Sequence, residues 1–192
     1  MKLPNLKRSL FAIVALSALT TPVVHAQTRQ GNTNVPVPGM PMGDTPVCAG
    51  VDKVIPAPWT KWAAPEPLKG GSGLSTAGKL AAGHIYSAAL PSSSGMSYVV
   101  PLPKPAADNT FGGLFTLTID KAGTYSIALS EGAWIDVAPA AGPVLSSTAH
   151  GHGPACTTIH KVVDFALQPG AYVVQISGSA KSPIVIGIQP KP

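Results

Sequence analysis

The chain has 192 residues, of which only 11% are charged; 13 basic residues against 8 acidic give a net charge of +5 at neutral pH. Three of the basic residues, Lys2, Lys7 and Arg8, lie at the very start, and the remainder carries ten basic against eight acidic residues, a net +2. With no Lys/Arg cluster further on, nucleic-acid binding has no footing.

Residues 1–26 read as a cleavable signal peptide. Lys2, Lys7 and Arg8 supply the basic start, Leu10-Phe11-Ala12-Ile13-Val14-Ala15-Leu16 the apolar run, and Val24-His25-Ala26 the small residues ahead of a cut before Gln27. The apolar run is shorter than the roughly 20 residues that a membrane-spanning helix needs. A periplasmic or secreted protein is expected, with no membrane span in the mature chain. The mature part, about 166 residues, is long enough for one domain with a real core. It keeps both cysteines, Cys48 and Cys156, and an even count in an oxidising compartment predicts a disulfide between them. Closing a loop of about a hundred residues contributes up to ~4.7 kcal/mol in the chain-entropy treatment.

Residues 27–80 form a Pro/Gly-rich arm. Val35-Pro36-Val37-Pro38-Gly39-Met40-Pro41-Met42 predicts extended, polyproline-like chain. Pro56, Pro58, Pro65 and Pro67 exclude a helix between Val54 and Leu68, and Trp59 and Trp62 are expected to pack on the domain. Lys69-Gly70-Gly71-Ser72-Gly73 reads as a flexible joint; it lacks the Lys-Ser/Thr ending of a phosphate-binding loop. Only Ser75 to Ala82 has room for a helical turn or two.

Residues 81–192 then read as a β-sandwich domain. Short apolar or alternating runs follow one another about ten residues apart, at 84–90, 96–100, 113–119, 124–129, 134–137, 161–167, 172–177 and 184–188, separated by Gly and Pro turn signals. About eight strands and no amphipathic helix predict an all-β, single antiparallel sandwich, jelly-roll-like in its winding. Trp134 is assigned to the core and Asp136 to the outside or to a backbone contact.

Two resemblances bear on this domain. Ala122-Gly123-Thr124-Tyr125-Ser126-Ile127-Ala128-Leu129, then Trp134-Ile135-Asp136-Val137, then Leu167-Gln168-Pro169-Gly170-Ala171-Tyr172-Val173-Val174 together resemble the bacterial pre-peptidase C-terminal domain. That family is a small exported jelly-roll sandwich, so the likeness, over residues 84–190, implies a fold and not an activity. Ala149-His150-Gly151-His152-Gly153-Pro154-Ala155-Cys156 is similar to a segment of small exported proteobacterial proteins, some of them labelled homogentisate dioxygenase. Those proteins usually have Arg where this chain has His160.

The chemistry-bearing residues cluster in the same stretch. His150, His152 and His160 lie within eleven residues, with Cys156 between them. In an extended strand, residues i and i+2 share a face, so His150 and His152 could offer two imidazoles to one transition-metal ion, Fe, Cu or Zn. Asp136 or Asp164 would complete a two-His, one-carboxylate set. The competing reading is an exposed Gly/Pro loop that merely tolerates histidines, and a disulfide would remove the Cys156 thiolate from any site. Met40 and Met42 are candidate soft ligands for Cu(I). A cupin oxygenase motif is incomplete, since Cys156 stands where a Glu ligand belongs and no histidine follows Pro169-Gly170. Glu66 and Glu131 are the sole glutamates after residue 26, which weakens paired-carboxylate hydrolysis. No Gly-x-Ser-x-Gly elbow occurs, and Ser146 and Ser147 near His150 have no orienting acid. His84 reads as structural.

The first functional expectation is therefore an exported β-sandwich binding or accessory protein, metal-binding through its histidines, whose partner is an extracytoplasmic protein or small molecule. The alternative is a small iron-dependent dioxygenase acting on an aromatic diol such as homogentisate. A third is carbohydrate or envelope binding through Trp59, Trp62 and Tyr98.

Overall fold

A computed structural model describes Cys48 and residues 50–192; the expected signal peptide, residues 1–26, and the stretch with Met40 and Met42 lie outside the described residues. The described part is all-β. Its strands are β1 (Glu66–Lys69), β2 (Gly78–Leu80), β3 (His84–Ala89), β4 (Phe111–Ile119), β5 (Gly123–Leu129), β6 (Trp134–Pro139), β7 (Ala149–Gly151), β8 (Lys161–Leu167), β9 (Gly170–Ser179) and β10 (Ile184–Pro190). They form a six-stranded sheet in the order β1-β3-β10-β5-β8-β7 and a four-stranded sheet in the order β2-β4-β9-β6. Only the short pairs β1/β3 and β2/β4 are parallel. Successive longer strands β3, β4, β5, β6, β8, β9 and β10 alternate between the sheets, and β10 returns to lie beside β3, which is jelly-roll winding.

Alternation along these strands builds the core. Tyr86, Phe115, Leu117, Ile127, Leu129, Val137, Phe165, Val174, Ile186 and Ile188 face inward and are buried between the sheets. The opposite face of the larger sheet carries a second cluster, in which Ile85 and Ala128 meet Trp59, Trp62 and Ile159. Trp59 and Trp62 meet edge to face, with centroids 6.1 Å apart, and Gly187 leaves room for Trp59, whose ring a Cβ there would approach at 2.9 Å. Disulfide-bonded Cys48 and Cys156 tie this N-terminal flap down, their Cα atoms 5.4 Å apart. Asp52 accepts from Thr158 N at 2.7 Å, and Thr158 Oγ1 in turn accepts from Trp62 Nε1 at 3.0 Å.

The domain thus extends ahead of residue 81. β1 and β2 are sheet strands, and the glycine run between them is pinned and not a flexible joint. Gly70 N donates to Ala89 O at 2.8 Å, while Gly71 and Leu114 exchange two backbone bonds at 3.0 and 2.9 Å. A Cβ on Gly71 would lie 2.5 Å from the Thr76 and Ala77 backbone, so the crossing between sheets needs glycine for close approach. In the stretch Ser75–Ala82, a 3-10 turn over Leu74–Thr76 leads directly into β2.

One expected strand is absent from the described residues. Residues 96–100 lie across the outer face of the smaller sheet without joining a ladder. The buried Gln175 on β9 substitutes for a strand partner: its Oε1 accepts from Val99 N and Val100 N, both at 3.0 Å, and its Nε2 donates to Val100 O at 2.9 Å. Pro101, Pro103 and Pro105 follow at once and have no N–H with which to extend pairing.

Candidate functional site

Two groups of polar side chains stand at the open edge of the sandwich, where β7 closes the larger sheet and β6 the smaller. The histidine group sits on β7 and the loop after it. β7 pairs with β8, placing His150 opposite Val163, and the chain then turns through His152, Gly153 and Pro154 toward the disulfide. His152 Nδ1 lies 3.0 Å from the His160 carbonyl oxygen; a carbonyl only accepts, so Nδ1 is the donor, and in the neutral ring the lone pair is then on Nε2. The His152 and His160 rings meet edge to face with centroids 5.7 Å apart. His150, His152 and His160 are all exposed. His150 and His152 also border a cleft of about 520 Å³ on the outer face of the larger sheet, beside Trp59, Asp164 and Lys191. The expected His150/His152 pair shares this cleft, but the close ring contact belongs to His152 and His160.

The carboxylates are placed elsewhere. Asp164 on β8 is buried and faces Ser126 across the β5/β8 ladder. Its Oδ1 accepts from Ser126 Oγ at 2.7 Å and its Oδ2 from Lys191 Nζ at 2.6 Å. Burial alone would raise its pKa, but hydrogen bonds from Lys191 and Ser126, with the Lys191 charge, hold it below the usual aspartate value. Asp136 stands on β6 of the other sheet, its Oδ1 accepting from Trp134 Nε1 at 2.9 Å and its Oδ2 from Gln175 Nε2 at 3.3 Å. Here burial prevails over those two bonds and the Lys161 charge, and the pKa is raised. Burial also lowers the pKa of Lys161, which Asp136 opposes. Both oxygens of each aspartate are already engaged, and among the described residues no three His, Cys, Asp or Glu side chains gather in a ligand cluster. Cys156, in its disulfide, offers no thiolate.

The aromatic group bears out one expectation and corrects two. Trp59 and Trp62 pack on the domain as expected, 6% and 2% exposed, which leaves Trp62 no face for a ligand and Trp59 only a place in the lining of the His150/His152 cleft. Trp134, assigned to the core, is 56% exposed and is the one exposed tryptophan of the three. The signal lies in the alternation: Trp134 and Asp136 are i and i+2, so they share the outer face while Ile135 and Val137 turn inward. Lys161 Nζ lies 5.3 Å from the Trp134 ring centroid and is anchored on Ala133 O at 2.9 Å. Tyr98 is half-buried and donates to Ser93 Oγ at 3.2 Å. His84 bridges β3 to β1, its Nδ1 3.0 Å from Glu66 Oε1. Ser146 and Ser147 border a hollow with His150.

Comparison with protein-family models gives no match for the chain, and comparison with curated proteins gives none either.

Proposed function

We propose that the protein is an exported β-sandwich binding module that takes a transition-metal ion on His152 and His160, with His150 alongside. The observation that carries this reading is the His152–His160 relationship. A metal–imidazole bond of about 2.0–2.1 Å places each ring centroid roughly 3 Å from the ion. Two rings bound to one ion are therefore roughly 5–6 Å apart, a range that includes the 5.7 Å of this pair and that ordinary edge-to-face ring packing shares. The Nδ1 bond to the His160 carbonyl orients the ring and raises its basicity, as supporting hydrogen bonds do for metal-bound histidines. Two imidazoles without a thiolate or an uncommitted carboxylate make an open donor set. It suits Cu²⁺ or Zn²⁺, of which Cu²⁺ binds the more tightly, and leaves positions for a further ligand. The signal segment and the disulfide support an extracytoplasmic place of work.

Residues 27–192, purified without a histidine tag from a periplasm, test the proposal by elemental mass spectrometry and by Cu²⁺ and Zn²⁺ titration. Near-stoichiometric metal, lost in His152→Ala, is expected. Protein that takes up no metal even after reloading sinks the reading. Oxygen uptake by the iron-loaded protein with homogentisate would replace binding by catalysis.

A further inference from the structure

Trp134 sits at the start of β6, on the outer face of the smaller sheet, opposite Ser177 of β9. An exposed tryptophan costs apolar surface, and this one is held in place by its surroundings. Its Nε1 donates to Asp136 Oδ1 at 2.9 Å, and Asp136 is fixed by Gln175, which is itself bonded to the backbone of Val99 and Val100. Lys161 stands over the ring and borders the hollow at the open sandwich edge. A separate hollow of about 330 Å³ opens beside Trp134 between the sheet and the loop 102–107. Lys161 does not border this second hollow. Pro103, Pro105, Thr110, Ser177 and the cation Lys104 do, and among the described residues no carboxylate does.

We propose that Trp134 is a stacking platform for a pyranose ring of an acidic polysaccharide. The C–H face of a sugar ring covers an indole without losing its hydroxyl hydrogen bonds, whereas a purely apolar ligand would be expected to seek an enclosed pocket. Ser177 and Thr110 line the hollow; the Thr110 hydroxyl already donates to Ala107 O and Ser93 Oγ and so is left to accept, and Lys104 supplies the charge that selects a uronate over a neutral sugar. A rigid indole loses little side-chain entropy on binding, which favours even a small contact. This inference goes beyond the metal reading and does not depend on it.

The test titrates residues 27–192 with polygalacturonate and with a neutral soluble glucan, following tryptophan emission and heat of binding. Trp134 is the solvent-exposed emitter, so saturable quenching by polygalacturonate is expected, with binding weakened at least ~10-fold in Trp134→Ala. Trp134→Tyr should retain part of the affinity, and Lys104→Ala should bring the acidic polymer down to the neutral one. Unchanged circular dichroism of Trp134→Ala separates lost binding from lost folding, and His152→Ala should bind polysaccharide as the parent does. The proposal is overturned if neither polymer binds, if Trp134→Ala binds equally well, or if a proline-rich peptide and no sugar occupies the platform.

Discussion

Lys191 Nζ donates to Asp164 Oδ2 at 2.6 Å, joining the segment after β10 to the centre of β8. Asp164 is buried and Lys191 half exposed, so solvent screens the lysine's share. Because Asp164 has its pKa lowered on folding, the stability it contributes is complete above its unfolded value and is lost as pH falls through the lower folded one. Urea midpoints measured from pH 6 to pH 2 should fall steeply below about pH 4, and Asp164→Asn should flatten that fall. At pH 7 Asp164→Ala should cost about 1–3 kcal/mol by leaving Ser126 without its acceptor, and Lys191→Ala about 0–1 kcal/mol. Equal costs for the two would mean that the pair, and not burial, sets the energy.

Asp136 should behave in the opposite sense. Its pKa is raised, with burial as the largest cause, so its ionised form is the less favoured on folding. Its contribution is most favourable at low pH and declines as pH rises through the folded value. Between pH 3 and pH 6, the stability difference between the parent and Asp136→Asn should move in favour of the variant as pH rises. A difference that stays flat across that window would refute the burial argument.

The two glycines of the histidine segment stand in different surroundings. A Cβ on Gly151 would meet nothing within 4 Å, whereas one on Gly153 would fall 2.3 Å from Ile159 O and 2.5 Å from the Ile159 side chain. Gly151→Ala should therefore leave the urea midpoint within about 0.5 kcal/mol of the parent. Gly153→Ala should cost about 1–3 kcal/mol through overpacking and weaken any metal bound at His152, one residue away. Equal tolerance at both positions would return the segment to a passive surface loop.

Alternation makes most of the sandwich legible in the sequence alone. Seven of the expected strands, from His84–Leu90 to Ile184–Ile188, correspond to β3, β4, β5, β6, β8, β9 and β10. The missing one, at 96–100, has a strand-like pattern but takes its partner from the Gln175 side chain, a relation between positions 75 residues apart that no local window contains. β1 and β2 are illegible because four and three residues within a Gly/Pro-rich stretch are too short to show a period. At the site, the disulfide follows from an even cysteine count, and the histidine cluster from spacing. The contact between the His152 and His160 rings does not, because it depends on the turn that brings His160 back to His152. Trp134 goes to the wrong side for a different reason: size alone sends a tryptophan to the core, although its two-residue spacing from Asp136 already puts both on one face.

The flap that carries Trp59 and Trp62 supplies the remaining prediction. It reaches the larger sheet through the Cys48–Cys156 disulfide, the Asp52–Thr158 bonds and the buried indoles. Trp62 is buried and its Nε1 is bonded to Thr158, so Trp62→Ala should cost about 3–5 kcal/mol. Breaking the disulfide with paired Cys48→Ser and Cys156→Ser should cost about 2–5 kcal/mol, mostly through the freed unfolded chain. The two losses differ in what they do to the folded state. With the disulfide gone, the indoles should stay seated under native conditions and their emission should remain blue, since their packing on Ile85, Ala128 and Ile159 is unaltered. An immediate red shift in the double serine variant, before any denaturant is added, would show that the covalent tie and not the aromatic packing keeps the flap in place.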